Sequence, residues 1–470
     1  MNYQIELFHS LLQQFLTGES ALLTLDGEVL ALRGKDPLSY GTLSASAGTV
    51  AKYLRMQEGD IVLMNDPYSG GTHLNEMTFV TAVSEDLIWV KRVPHTAKVQ
   101  AGKSIEDEGL RIPPTPVFQK GQLNETILGA MQAHPLCPPH FAKWVHEKCQ
   151  EFSVASKRFI EAVEVSGLAL TAELIEEYWR MSREMASQRI SDRAYGEARV
   201  DYVLDSGELL RLNLETRDGR VIMDFSGTSG GKTVFMTETA AASVCFHAIA
   251  SYYGFAEFAN AGTLSLLQVI KPTGCWLMAK YPAPTFKGMT CGKAALQSSI
   301  ELALSHIHPK KVTSISAHCP IFVEIKTSDR QNCLRLFGGQ SGQQGRVGLD
   351  GSVCVSSIEQ IERDYPVRIS QINKRDSSGG IGKFSGGRGS LLRFEILKDL
   401  EINWLTDLTL YRPRLVRTCT HGDACEVTLE RDGQIKTLPV LGKEIFKAGD
   451  FVTFASASGG GSGLPEKPEA

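Results

Sequence analysis

Apolar residues recur at two spacings along this chain, and the switches between them predict its elements. Ile5, Phe8, Leu11, Leu12 and Phe15 fall on one face at helical spacing, so the chain opens with an amphipathic helix whose stripe packs as core. Residues 21–31 are two short apolar runs around Asp26-Gly27, a dipeptide that tolerates the left-handed backbone of a tight hairpin turn. Strands follow at 61–64, 78–83 and 87–93, separated by turn residues at Asn65-Asp66-Pro67 and Ser84-Glu85-Asp86. From about 139 to 192 the period becomes helical, with Phe141, Trp144 and Val145 in one stretch, Leu174, Ile175, Tyr178, Trp179 and Met181 in another, and a break near Ser166-Gly167. Strand patterns return at 202–204, 208–214 and 220–225, the last two joined across Asp218-Gly219, and helices are predicted near 240–253 and 294–305. From residue 312 onward the pattern is strands with Gly-rich connections, notably 377–389 and 456–463.

These elements add up to an α+β chain, with strand-rich mixed sheets and a central helical section. Three regions are expected: a β-rich 1–135, a helical and mixed 136–310, and a β-rich 311–470. The 470 residues bury a sizeable core, and 44 Gly with 19 Pro indicate many turns rather than disorder. A net charge of −4 supplies no basic field, so nucleic acid is excluded as a partner. The ten cysteines never form Cys-x-x-Cys and suit reduced thiols better than a disulfide framework. No basic leader and no membrane-length apolar run is present, so the expectation is a cytoplasmic protein without a membrane span.

The chemistry concentrates in residues 59–76. A strand runs into Asn65-Asp66-Pro67-Tyr68 and Gly70-Gly71, then presents His73 and Glu76, with a further imidazole, His95, after the next hairpin. Loop-borne imidazole and carboxylate groups beside strands suit a hydrolytic or Lewis-acid metal site, because a loop leaves one coordination position open. A bare His-x-x-Glu is more often a solvated loop pair, so spacing alone does not decide this.

Residues 59–76 resemble the Asn-Asp-Pro-Tyr-x-Gly-Gly-Thr-His-Leu-Pro-Asp signature of the hydantoinase B/oxoprolinase family, with Asn75 for Pro and Glu76 for Asp. The resemblance continues through 108–114, 121–125, 224–229, 376–387 and the Gly-rich 459–463, in order along nearly the whole chain. It implies a metal-dependent subunit of an ATP-dependent cyclic-amide hydrolase, partnered by a hydantoinase A-like ATP-binding subunit. Related carboxylase subunits and a non-catalytic scaffold paralogue are the alternatives. Carried over, the ligands of a divalent zinc, manganese or iron would be His73, Glu76 and His95, with Glu19 of the N-terminal hairpin as the fourth. The family's His-His-Ala-Asp-Val-Gly-Gly reads His95-Thr96-Ala97-Lys98-Val99-Gln100-Ala101 here, placing a cation where the family has a carboxylate. On this reading Lys98 binds an anionic group of an amide or carbonyl substrate.

Two other signals point elsewhere. Gly230-Gly231-Lys232-Thr233 lacks the leading glycine of a phosphate loop, where Ser226 stands, so ATP is assigned to the partner. Cys291 has no base supplied by its surroundings in sequence and reads as an inert buried thiol.

Overall fold

α1 (Tyr3–Phe15) buries Ile5, Phe8, Leu11 and Leu12, the stripe its spacing predicts. β1 (Glu19–Thr24) and β2 (Val29–Arg33) pair antiparallel across the turn, where Gly27 takes φ 87. α2 (Ser39–Tyr53), β3 (Ile61–Met64), β4 (Glu76–Ala82), β5 (Leu87–Pro94), α3 (Ile105–Glu108), β6 (Thr115–Gln119), β7 (Gln122–Leu123) and α4 (Glu125–Gln132) follow. The strands form one seven-stranded sheet in the order β2-β1-β5-β4-β3-β6-β7. The central helices are α5 (Phe141–Ser166), capped by Gly167 at φ 67, and α6 (Ala172–Ser191).

The structure is a computed structural model that describes residues 3–95, 101–309, 316–327, 331–343, 345–355, 357–410, 420–439 and 441–463. The chain divides into two units: residues 1–195, 215–225 and 230–289, and residues 196–214, 226–229 and 290–470. It enters the second unit for β8 (Gly196–Val203) and the start of β9 (Leu209–Arg217). It returns for β10 (Arg220–Asp224), α7 (Glu238–Tyr253), α8 (Ala261–Leu264) and β11 (Leu267–Ile270), the last pairing parallel with β10. Asp218 and Gly219 take φ 50 and 69, the left-handed pair that an Asp-Gly hairpin turn requires.

Alternation along the seven-stranded sheet gives it two different faces. One carries Leu22, Leu63, Phe79 and Trp89 into a core with Ile5, Phe8, Phe152 and Phe159. Trp89 meets Phe152 and Phe159 edge-on, at centroid distances of 5.6 and 5.8 Å. α2 covers the other face and packs on α7, Gly41 N donating to Ser243 Oγ.

The second unit continues with α9 (Lys293–Ile307), β12 (Ile321–Lys326), β13 (Gln331–Phe337), β14 (Ser352–Cys354), α10 (Ile358–Asp364), β15 (Val367–Lys374), β16 (Ser390–Ile396), β17 (Leu400–Leu405), β18 (Glu426–Arg431), β19 (Gln434–Thr437), β20 (Leu441–Phe446) and β21 (Phe451–Ala455). Two five-stranded sheets result, ordered β14-β13-β12-β17-β20 and β15-β16-β21-β18-β19. The glycines of the Gly-rich connections lie backbone against backbone. Gly387 N donates to Gln340 O (2.8 Å), Gly459 N to Gly387 O (3.0 Å) and Gly339 N to Ala457 O (3.0 Å). The fold is mixed α and β, as the periodicity predicts, and the described residues form four sheets. No described helix is long and apolar enough to cross a membrane.

Candidate functional site

β3 ends at Met64, and the next ten residues build the loop that carries the chemistry. Asn65 is fully buried. Its Nδ2 donates to Leu74 O (2.6 Å) and Leu110 O (2.8 Å), and its Oδ1 accepts from Ile112 N (2.6 Å), so one amide ties the loop's end to a second segment. Asp66 holds the turn by accepting from Tyr68 N (3.1 Å) and Ser69 Oγ (2.8 Å). Gly70 sits at φ 101, and a Cβ at Gly71 would lie 2.2 Å from Asn65 O, so the Gly-Gly step is obligatory. The loop then presents Thr72, whose hydroxyl donates to Glu76 Oε2, and His73, whose carbonyl accepts from Glu76 N (2.9 Å) and whose ring lies 5.9 Å from that of Phe286.

Strand register decides which of the expected ligands share a face. Glu19 of β1 pairs with Arg92 of β5, Arg92 pairs with Thr78 of β4, and Glu76 pairs with Pro94. Residues opposite one another, or two apart on one strand, project to the same side, so Glu19, Glu76 and Arg92 all face α2. His95 has the opposite parity. Its ring lies against α5, with centroids 5.4 Å from Phe141 and 4.4 Å from Trp144, and its Nδ1 is buried without a hydrogen-bond partner among the described residues. Burial pushes this imidazole's pKa down, towards the neutral form. The structure therefore brings Glu19 and Glu76 to one face and sends His95 to the other. Among the described residues no three His, Cys, Asp or Glu side chains come together in a metal-holding group. Lys98 lies outside the described residues.

The residue that sequence reasoning missed on this face is Arg92, 3% exposed. Its Nε donates to Thr78 Oγ1 (3.1 Å), one terminal nitrogen to Thr42 Oγ1 of α2 (2.9 Å) and the other to Gly70 O (3.2 Å). Desolvation lowers its pKa, and the carboxylates of Glu76, Asp36 and Glu19 oppose that fall. A signal was present in the sequence: an arginine in the run Leu87-Ile-Trp-Val-Lys-Arg-Val93, at a position the alternation buries.

A second polar group lies beside the loop. Glu108 closes α3 at 2% exposure and accepts from the N–H groups of Thr285 and Phe286, each at 2.9 Å. Around it, Arg111 pairs with Glu106 (2.7 Å) and Asp66 (3.4 Å), and the Tyr68 hydroxyl donates to Ala283 O (2.6 Å). Burial pushes the Glu108 carboxyl up to about 7, against the pull of its N–H donors. The folded state thus favours the protonated acid, so this group's contribution is full below the ordinary carboxylate range and is lost as pH rises through about 7. Glu108→Gln should flatten the fall in stability across that window, by about 1.4 kcal/mol per pH unit. Denaturation midpoints of both proteins across the window check this, and equal slopes would remove the buried-acid assignment.

Cys291 is buried, as its sequence context suggests. It lies 3.7 Å from Cys319 Sγ, and that contact together with burial holds the Cys319 thiol far above its ordinary value.

A family model described as hydantoinase B/oxoprolinase matches residues 14–465. The chain belongs to the hydantoinase B/oxoprolinase family. Within it, the chain is 25% identical over 416 residues to caprolactamase subunit beta of Pseudomonas jessenii, covering 78% of this chain and 70% of that one. It is 22% identical over 500 residues to 5-oxoprolinase 1 of Arabidopsis thaliana, covering 94% of this chain but 38% of that longer protein. The structure of the ATP-dependent caprolactamase from P. jessenii shares the fold, with a TM-score of 0.79 at 20% identity over 98% of this chain and 88% of that chain. Against this family's signature, the loop at 65–76 keeps its Asn-Asp-Pro-Tyr and Gly-Gly-Thr-His frame.

Proposed function

We propose that this chain is the ring-opening subunit of an ATP-dependent cyclic-amide hydrolase and works with a separate, hydantoinase A-like ATP-binding subunit. One observation carries the reading: the family match runs from 14 to 465, and the relatives it brings include a caprolactamase subunit and a 5-oxoprolinase. A lactam C–N bond is resonance-stabilised, and water adds to it poorly unless the carbonyl oxygen is first made a leaving group. ATP supplies that step. Ser226 in place of the leading phosphate-loop glycine supports leaving the nucleotide to a partner, as does the length of the matched 5-oxoprolinase, which has room for both halves in one chain. In the net reaction one water opens the ring and a second is taken up as ATP becomes ADP and phosphate. His73 is the residue we assign to handling the proton of the attacking water, because the Asn65 and Gly-Gly contacts fix its backbone and Phe286 lies beside its ring.

Co-expressed with its ATP-binding partner, the chain should support ADP formation that depends on an added lactam or hydantoin, one ADP per ring opened, while neither subunit alone does so. Turnover by this chain alone, or a pair silent towards every cyclic amide, would sink the reading. The buried Arg92 favours a second reading, a scaffold paralogue. His73→Ala separates the two: loss of turnover by a factor of about 100 or more supports catalysis here, and unchanged turnover supports the scaffold.

A further inference from the structure

The geometry points to Arg92 as the built-in cation of the face where the family resemblance puts a divalent metal: this chain sets its own guanidinium beside Glu19 and Glu76 and takes no metal there. Three neighbouring strands set the arrangement. Glu19, Arg92 and Thr78 stand directly opposite one another on β1, β5 and β4, and Glu76 follows two residues from Thr78 on the same face. The cation is thus flanked by the strands that carry the two carboxylates.

Arg92 is not a surface charge that could turn away. It is buried, and its three hydrogen bonds to Thr78, Thr42 and Gly70 go to neutral oxygens and fix the plane of the guanidinium. A buried charge is tolerated only with counter-charge close by, and the groups that supply it are Glu19, Glu76 and Asp36. One oxygen of each carboxylate is engaged: Glu19 Oε1 accepts from the N–H groups of Lys35 (2.8 Å) and Asp36 (3.2 Å), and Glu76 Oε2 accepts from Thr72. Glu19 Oε2 is buried without a hydrogen-bond partner among the described residues, so the guanidinium balances that carboxylate by charge across the strands and not by a bond. A dication bound by the same oxygens would meet the guanidinium's positive charge, and the imidazole of His95 is on the far side of the sheet, against α5.

The consequence is chemical as well as structural. A guanidinium offers donors and a permanent charge, but it has no open coordination position and cannot lower the pKa of a bound water. The α2 face therefore preserves the fold and the electrostatic balance of the site, and any hydroxide used in ring opening has to be generated by other groups. The inference stands apart from the cyclic-amide reading, because metal binding is measured without turnover.

The test uses the full chain, purified without chelator, and Mn2+ or Zn2+ alone as probe. Wild type should carry far less than one equivalent of metal, and its thermal midpoint should move by less than about 1 °C in about 1 mM cation. Arg92→Ala, which leaves the three carboxylates uncompensated, should gain a calorimetric binding site and rise by about 5 °C or more under the same conditions. Should Arg92→Ala not fold, refolding it with and without the cation gives the same decision: recovery only with metal supports the inference, and no recovery overturns it. One equivalent of metal in wild type, lost on Glu76→Gln or His73→Ala, overturns it, and so does a folded Arg92→Ala that stays indifferent to both cations.

Discussion

Gly459→Ala should destabilise the second unit by about 4 kcal/mol or more, although it adds one methyl group to a Gly-rich stretch of the kind usually read as a pliable loop. In the three Gly-rich stretches at 338–342, 379–389 and 459–463, a Cβ at Gly339, Gly342, Gly380, Gly387 or Gly459 would lie 2.2 Å or less from a backbone atom, so none of these positions has room for a side chain. A Cβ on Gly459 would lie 1.8 Å from Gln340 O and 2.2 Å from Gln340 C. Those are backbone atoms, so no rotamer change relieves the clash. Moving the strand away breaks the bonds Gly459 N to Gly387 O (3.0 Å) and Gly380 N to Gly459 O (2.9 Å), in a place closed to water. Overpacking a core costs about 1–3 kcal/mol even where neighbours can shift, and each buried backbone group left unpaired adds about 1–3 kcal/mol. The total, about 4 kcal/mol or more, is a large part of the 5–15 kcal/mol or so that holds an ordinary domain together. Gly433→Ala is the control. It has φ 74 and nothing within 4 Å of where its Cβ would stand, so it suffers only backbone strain of about 1 kcal/mol. Soluble yield and urea midpoints of the two variants decide it; equal midpoints would show that the glycine seam can open at little cost.

The contrast between these two glycines shows which parts of the fold are legible in the sequence. Asp26-Gly27 and Asp218-Gly219 mark hairpins because the turn itself demands a positive φ, a local requirement that leaves a local trace. The stripe of α1 and the break at Gly167 are legible for the same reason. α2 is less so. Its sequence, Ser-Tyr-Gly-Thr-Leu-Ser-Ala-Ser-Ala-Gly-Thr-Val, places Tyr40, Leu43, Ala47 and Val50 at helical spacing, but Ser, Thr and Gly between them blur the stripe, because small residues are what a helix needs when it is pressed against both a sheet and α7. Nor does sequence show that Gly380, Gly386, Gly387 and Gly459 are buried, since what each meets is backbone far along the chain. The site divides the same way. The frame from Asn65 to His73 is recognisable, but the parity that puts His95 on the α5 side and Arg92 among carboxylates follows from the pairing of β1, β4 and β5, which no single stretch encodes.

Asn65 is where that frame is most exposed to a single change. Asn65→Asp keeps the shape and replaces the Nδ2 donor by an oxygen, which would then face Leu74 O and Leu110 O across the 2.6 and 2.8 Å now spanned by hydrogen bonds. At neutral pH the result is a buried carboxylate aimed at two carbonyls, with a destabilisation of about 3–5 kcal/mol. The sign of the pH dependence follows. Repulsion and burial raise the folded pKa of the new acid above its unfolded value, so the fold tolerates the protonated form, which can still donate one hydrogen bond. The defect is therefore smallest below about pH 4 and grows by about 1.4 kcal/mol per unit as pH rises, until the folded pKa is passed. Asn65→Ala removes the donor and acceptor together and should lose about 3 kcal/mol with no such slope. Thermal midpoints of both variants at about pH 5 and about pH 8 separate them: the gap to wild type should widen for the aspartate and stay constant for the alanine. An aspartate variant within about 1 °C of wild type at both values would show that the amide is not the tie between the loop and Ile112. Because the same amide fixes the backbone leading to His73, the proposed role of His73 in turnover predicts that Asn65→Ala also loses turnover at temperatures where its fold persists, as a loop displacement of about 1 Å is enough to take a reacting group out of range.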